Sequence, residues 1–226
     1  MVRTEKRFSG FTLVNIQADD PEEISGISVE PGRVFRVELP ANAAYIQAMS
    51  EQGYTFGDRT IGVAINLKRG SLDYGKLVRF EMQPAGHELD EEIFRIAGES
   101  FPTDRRFHVR PGLDMDTARE VIRQWVGELN EVYVCRHKDR FVGFIDLEQT
   151  GESEKFIHLA AVEERYRAAG AALSMYAYAI RKAKDEGCTK ISGRISSINT
   201  AVMNLYAYLG GSFQEPVDVY LKEGTL

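Results

Sequence analysis

The sequence predicts an α/β (α+β) fold: a sheet flanked by helices, with a smaller α/β segment at the amino-terminal end of the 226 residues. Three observations carry that prediction. Apolar residues switch repeatedly between the short unbroken runs of buried strands and the three- and four-residue spacing of helix faces. Two strand-like runs, Val132 to Cys135 and Phe141 to Leu147, are joined by the polar His137-Lys138-Asp139-Arg140, which calls for an antiparallel hairpin. The apolar share, 43%, is that of an ordinary globular chain with a sizeable core.

The elements follow in order. Residues 1–72 read as a small α/β domain, with a strand at Val34 to Val37, a helix over Ala41 to Gln52 and a strand over Thr60 to Leu67. Residues 73–226 form the main domain. There, Leu77 to Met82 suits a strand, Asp90 to Gly98 a helix, and Phe101 to Gly112, rich in arginine and holding proline, a long loop. Ala118, Val121, Ile122, Trp125 and Leu129 trace the buried stripe of the next helix. After the hairpin come a strand over Phe156 to Val162 and a helix that buries Leu173, Tyr176, Ala177, Ile180 and Ala183. A strand over Lys190 to Ile195, a helix opening at Asn199 and a closing strand near Val217 to Leu221 complete the order. One internal echo stands out. Asn42-x-Ala44 leads to Gly53 at the same offset as Asn199-x-Ala201 leads to Gly210, although Met49 stands where the second copy has Tyr206. It reads either as a degenerate half of one duplicated fold or as a chance likeness between two short helices with glycine caps.

A net charge of −6 argues against nucleic acid and anionic membranes as partners, because both require a basic field. Small molecules are favoured instead. The two cysteines, Cys135 and Cys188, have no metal-ligand spacing and read as free thiols of a reducing, cytoplasmic compartment, and no metal is expected. No long apolar run or signal-like core is present.

Chemistry concentrates at Arg167-Ala168-Ala169-Gly170-Ala171-Ala172, between the Phe156 to Val162 strand and the long helix. The unpaired amides of a first helical turn point at an anion, and small residues let phosphate oxygens approach the backbone. Arg167 offers a side-chain donor. The competing reading is an ordinary loop glycine beside a solvated arginine.

Arg-x-x-Gly-x-Ala after a strand resembles the acyl-CoA signature of the GNAT superfamily of N-acetyltransferases. Asn199-Thr200-Ala201-Val202-Met203-Asn204-Leu205-Tyr206, followed by Gly210, resembles the second signature helix of that superfamily. The likeness covers about residues 75–226. Within the superfamily the chain is most similar to the dTDP-fucosamine acetyltransferases, which also carry an extra amino-terminal domain. It departs from the commonest pattern at Ala168-Ala169, where glycine and a basic residue are frequent, and at Ala172, where the last glycine stands.

The resemblance implies a mixed, largely antiparallel sheet and acetyl-CoA as co-substrate. It implies that the strand edge at Leu159, Ala160, Ala161 and Val162 pairs with the pantetheine arm, that residues 167–172 hold the pyrophosphate, and that Asn199 bonds the arm. Tyr206 would protonate the departing thiolate, a role that suits a phenol of ordinary pKa about 10. Its bland alternatives are a core aromatic for Tyr206 and a helix cap for Asn199. His158, on the cofactor strand, is either the base that takes the ammonium proton or a structural histidine, and Phe156 occupies the place of the glutamate used by other members. Arg105, Arg106, Phe107 and His108 lie in the loop where the family builds its acceptor pocket; they read either as a phosphate and ring site or as a solvated basic loop. The implied acceptor is the amine of a nucleotide-linked deoxysugar, with another small amine or a protein amino terminus as alternatives. A non-catalytic acyl-CoA sensor also remains open, and a homodimer is a family-level expectation.

Overall fold

The computed structural model describes residues 1–69, 72–86, 90–101 and 115–224. Its elements are β1 (Val2–Phe8), β2 (Phe11–Gln17), β3 (Arg33–Pro40), α1 (Ala43–Glu51), β4 (Thr55–Asn66), β5 (Glu81–Pro84), α2 (Asp90–Ser100) and α3 (Met115–Val126). They continue with β6 (Glu131–His137), β7 (Arg140–Gly151), β8 (Glu154–Val162), the one-turn α4 (Glu164–Arg167), α5 (Ala171–Asp185), β9 (Lys190–Ser196), α6 (Thr200–Tyr208) and β10 (Ser212–Glu223). The strands form one ten-stranded sheet in the order β1-β2-β3-β10-β4-β9-β8-β7-β6-β5. Only β2–β3 and β8–β9 are parallel neighbours, so the sheet is mixed and largely antiparallel, as the sequence predicts.

Helices cover both faces. On one, α5 lays Met175, Ala179, Ile180 and Ala183 over Ile145, Leu147, Ile157 and Ile191. On the other, Ile93 and Ile96 of α2 and Val121 and Ile122 of α3 pack on Val134, Phe144 and Leu159. Phe8, Phe11 and Leu13 join that second core, so the sheet curls until its first hairpin meets α3. The contact is tied by the Lys6–Glu128 ion pair and by the Gln124 side-chain amide, which donates to the Arg7 carbonyl at 3.1 Å. A third core, with Val14, Ile16, Phe35, Val37 and Met49, lies around α1.

Two differences from the predicted elements have local causes. The stretch expected as a strand from Leu77 begins as a 3-10 turn over Tyr74–Leu77 and becomes extended only at Glu81. Its polar groups are claimed by the neighbouring helices: the amides of Arg79 and Phe80 donate to the Ser174 hydroxyl at 3.0 and 3.1 Å, and the Tyr74 hydroxyl donates to the Leu209 carbonyl at 3.0 Å. The sequence does not signal the β1–β2 hairpin, because β1 (VRTEKRF) is an exposed edge strand whose charges hide any two-residue alternation.

The sheet order is palindromic. Matching β1, β2, β3 and β4 with β7, β8, β9 and β10 gives the same sequence of neighbours from either end of that eight-strand span. Lengths agree too, since α1 and α6 both have 9 residues and β4 and β10 both have 12. Ser212, first in β10, pairs with Ala64, and Thr55, first in β4, pairs with Leu221. The two units differ between their second and third strands. β2 and β3 stay paired from Thr12–Arg33 to Gln17–Glu38 and are linked through a 3-10 turn, whereas β8 and β9 are linked through α5 and pair only from Glu154–Lys190 to Ile157–Gly193.

Candidate active site

Beyond Ile157 the strands β8 and β9 part. The cause is a bulge: Asp146 pairs with Leu159 but Leu147 pairs with Ile157, leaving His158 without a residue opposite. Before the bulge Lys155 and Ile157 face α5; after it Leu159 and Ala161 face α2 and α3. The edge of β8 that β9 abandons therefore has no strand beside it. Because the Glu163 amide bonds across to Val142, alternation turns the backbone groups of Ala160 and Val162 toward the gap.

This gap is a cleft of about 420 Å3, lined by Ala160, Ala161, Val162, Gly170, Ala172, Asn199 and Val202 among others. Gly170 caps α5 with φ +84°, a left-handed conformation that glycine adopts without strain, and no side chain caps the helix end. The Ser174 amide is the first to bond within the turn, to the Gly170 carbonyl at 3.0 Å, so the amides of residues 171–173 open on the cleft mouth. Ala171 itself is buried against the sheet, and Ala168 and Ala169 are exposed in the loop. Arg167 turns inward: its Nε donates to the Val162 carbonyl at 3.1 Å and a terminal nitrogen reaches the Ser100 hydroxyl at 3.4 Å. It braces the loop against the strand. These residues fit an extended acyl carrier with a diphosphate at one end: amides and a dipole for the anion, an unpaired strand edge and small side chains for the arm.

At its inner end the cleft adjoins a smaller cavity of about 50 Å3, bordered by His158, Leu159, Arg194, Asn199 and Tyr206. Tyr206 is 1% exposed, its ring edge-on to Tyr176 with centroids 5.2 Å apart. Its hydroxyl lies over Gly193, where a methyl group would sit 2.5 Å from the oxygen. Asn199 caps α6, its side-chain oxygen accepting from the Val202 amide at 3.2 Å, and it also lines the cleft. His158 stacks on Trp125 of α3 with centroids 5.7 Å apart and planes 5° from parallel.

Tyr206 and His158, far apart in the sequence, thus border one small space. In the sequence Trp125 reads only as part of a helix's buried stripe, and a glycine inside a strand pattern is the one signal that marks Gly193. Arg105, Arg106, Phe107 and His108 lie outside the described residues. Among the described residues no three His, Cys, Asp or Glu side chains are grouped to hold a metal, and no helix is long and apolar enough to cross a membrane. Both cysteines are buried and free, and burial pushes the Cys135 thiol up to about 12.

No curated protein matches the chain. Among solved structures it is similar to a conserved protein of unknown function from Staphylococcus epidermidis (TM-score 0.67, 16% identity, 95% of this chain and 85% of that one). It is also similar to a GCN5-related N-acetyltransferase from Kribbella flavida (0.58, 16%, 95% and 82%) and to a tandem GNAT protein from the clavulanic acid pathway (0.51, 12%, 86% and 66%). At these identities the likeness is one of fold. Residues 91–210, more than half of the chain, match the acetyltransferase (GNAT) family, and they contain the parted strands, the glycine-capped loop and the Tyr206 helix just described. The chain belongs to the GNAT acetyltransferase family.

Proposed function

We propose that the protein moves an acetyl group from acetyl-CoA directly to an amine, with Tyr206 as acid and His158 as base. The observation that carries this is their shared position at the foot of the cleft. The His158 imidazole takes a proton from the incoming ammonium, whose nitrogen keeps the electron pair and attacks the thioester carbonyl. The Ala160 backbone groups and the Val162 amide, which face the gap, orient the acyl arm and polarise that carbonyl. As the carbon–sulfur bond breaks, its electrons leave on sulfur, which receives the Tyr206 proton, and the attacking nitrogen, now bonded to the acetyl carbon, gives up its second proton, which restores the phenol. For the acceptor we take the amine of a nucleotide-linked deoxysugar, which is supported by the motif resemblance and by the arginines and aromatic ring of residues 105–108. Release of free thiol from acetyl-CoA, measured over a panel of sugar-nucleotide amines, aminoglycosides, polyamines and peptide amino termini, tests it. Release with a sugar-nucleotide amine above all others is expected. Thiol release with none of the panel would overturn the transferase reading, and preference for another class would overturn the acceptor.

Residues 1–72 we read as a degenerate half of the same fold. The palindromic strand order, the matched element lengths and the likeness to a tandem GNAT protein support this. Among its described residues β2 and β3 stay paired and are joined through a 3-10 turn rather than a long helix, which argues against a second cleft of this kind. Calorimetry should give one acetyl-CoA per chain; two would refute the degenerate reading.

A further inference from the structure

Asp146 of β7 is completely buried, and only one of its carboxylate oxygens is hydrogen-bonded: Oδ1 accepts from the Asn130 amide at 2.9 Å. The other, Oδ2, makes no hydrogen bond and lies 3.4 Å from Nδ1 of His158, which is also buried and without a hydrogen bond. Buried polar atoms in native proteins are nearly always paired, so these two atoms call for each other. A proton on Nδ1 supplies the missing link, and a small approach closes it to a charge-assisted bond. At the bulge His158 and Leu159, the cross-strand neighbour of Asp146, lie side by side on the α2/α3 face. Among the described residues, two further charged groups near the imidazole are already engaged. Lys6, from β1, pairs with Glu128 over the Trp125 ring, and Arg194, from β9, donates to the Thr60 hydroxyl and the Glu215 carbonyl. Tyr206, from α6, completes the surroundings.

We infer that Asp146 is a positioning residue that holds the proton of His158 on Nδ1, leaving the Nε2 lone pair to accept the ammonium proton. The inference rests on the acetyl-transfer reading above. Neutral imidazole has two tautomers, and only the one protonated at Nδ1 presents a basic Nε2. When the ammonium N–H bond breaks, its electron pair stays on the amine nitrogen and its proton moves to Nε2. The imidazolium so formed then faces a fixed carboxylate, whose buried charge it neutralises.

Asp146→Asn keeps an oxygen for the Asn130 amide and removes the charge. With an alkylammonium acceptor, kcat should fall by about 10²-fold while KM for acetyl-CoA stays unchanged, the signature of a lost orienting group rather than a lost binding site. O-methylhydroxylamine arrives already neutral at pH 7 and needs no base, so with it the loss should shrink to a few-fold. Equal losses with both acceptors would overturn the proposal. Nitrogen-15 NMR of the wild-type protein gives a second, independent answer, with His158 expected as the Nδ1–H tautomer; an Nε2–H tautomer would overturn the positioning role whether or not the variant folds. Should the wild type transfer acetyl to neither amine, the transferase reading fails while the tautomer still decides the Asp146–His158 pairing.

Discussion

Tyr206 owes its position to one missing methyl group. Gly193→Ala would place a carbon 2.5 Å from the hydroxyl oxygen, so the ring must swing away from the gap between the strands. The expected result is a fall in kcat of at least tenfold with acetyl-CoA affinity retained, measured by thiol release and calorimetry; unchanged turnover would mean that the hydroxyl does not need this place. Tyr206→Phe keeps the ring against Tyr176 and deletes the proton, and turnover should drop by about 10²–10⁴ with the melting temperature nearly unchanged, if sulfur protonation limits the rate. Near-normal turnover with a rate-limiting chemical step would leave Tyr206 a packing residue. At this scale the sequence is legible where a motif fixes both residue type and spacing: Gly170, Asn199 and Tyr206 all line the cleft or the cavity at its foot. It is less legible where a side chain has competing partners. Arg167 reads as a phosphate donor, yet its Nε is spent on the Val162 carbonyl, an acceptor exposed only because β9 has turned away. Asp146 shows no motif at all, since its link to His158 exists only after the bulge has formed.

The elements around the cleft depend on devices at their ends and edges. Gly170→Val would force a branched side chain into a left-handed backbone at φ +84° and project it into open space beside the cleft. Loss of measurable acetyl-CoA binding by calorimetry, with helical circular dichroism preserved, is the expected outcome; full affinity would refute the phosphate-loop assignment. Lys155, 4% exposed on β8, ties that strand to β6 through Glu131 and to the end of α5 through Glu186. Burial pushes both carboxyls up, but the hydrogen bonds and charges of Lys155 and Lys182, with the Tyr133 hydroxyl at Glu131, together outweigh it and leave both below the usual glutamate value of 4.5. A carboxyl lowered on folding stabilises the protein above its unfolded pKa, and that contribution is lost as pH falls through the folded value. Stability from this network should therefore be intact at neutral pH and decline below about 4.5, and Lys155→Met should reduce that share of the acid sensitivity, with Lys182 keeping the rest. Since both glutamates are more than a third exposed, the variant should cost about 1–3 kcal/mol at pH 7 in denaturant titrations, less than a fully buried pair. Long periodic helices such as α3 and α5 are plain in the sequence because their core faces repeat. β1 and the start of β5 are not, because their backbone pairing is settled by distant partners.

Across the whole molecule, β10 lies between β3 and β4, so the last strand of the sheet in chain order is held on both sides by the first sixty-six residues. A fragment of residues 73–226 keeps every cleft residue named above and strands β10 without a neighbour. It should fail to give a dispersed NMR spectrum, while the full chain should unfold in one calorimetric transition; independent folding of the fragment would show that the interdigitation is dispensable. None of this is legible in the sequence, where β4 and β10 lie far apart and each looks like an ordinary strand. The arrangement also sets an order of events during synthesis. When β3, α1 and β4 have left the ribosome, they flank a slot one strand wide that nothing yet made can fill, and Ala64 must wait for Ser212. Contacts this distant in sequence slow folding, and two unfilled strand edges invite strangers in the meantime. A nascent chain of this design spends most of its translation as an unfinished sheet, and its need for chaperone shelter should end only when β10 slides into the slot.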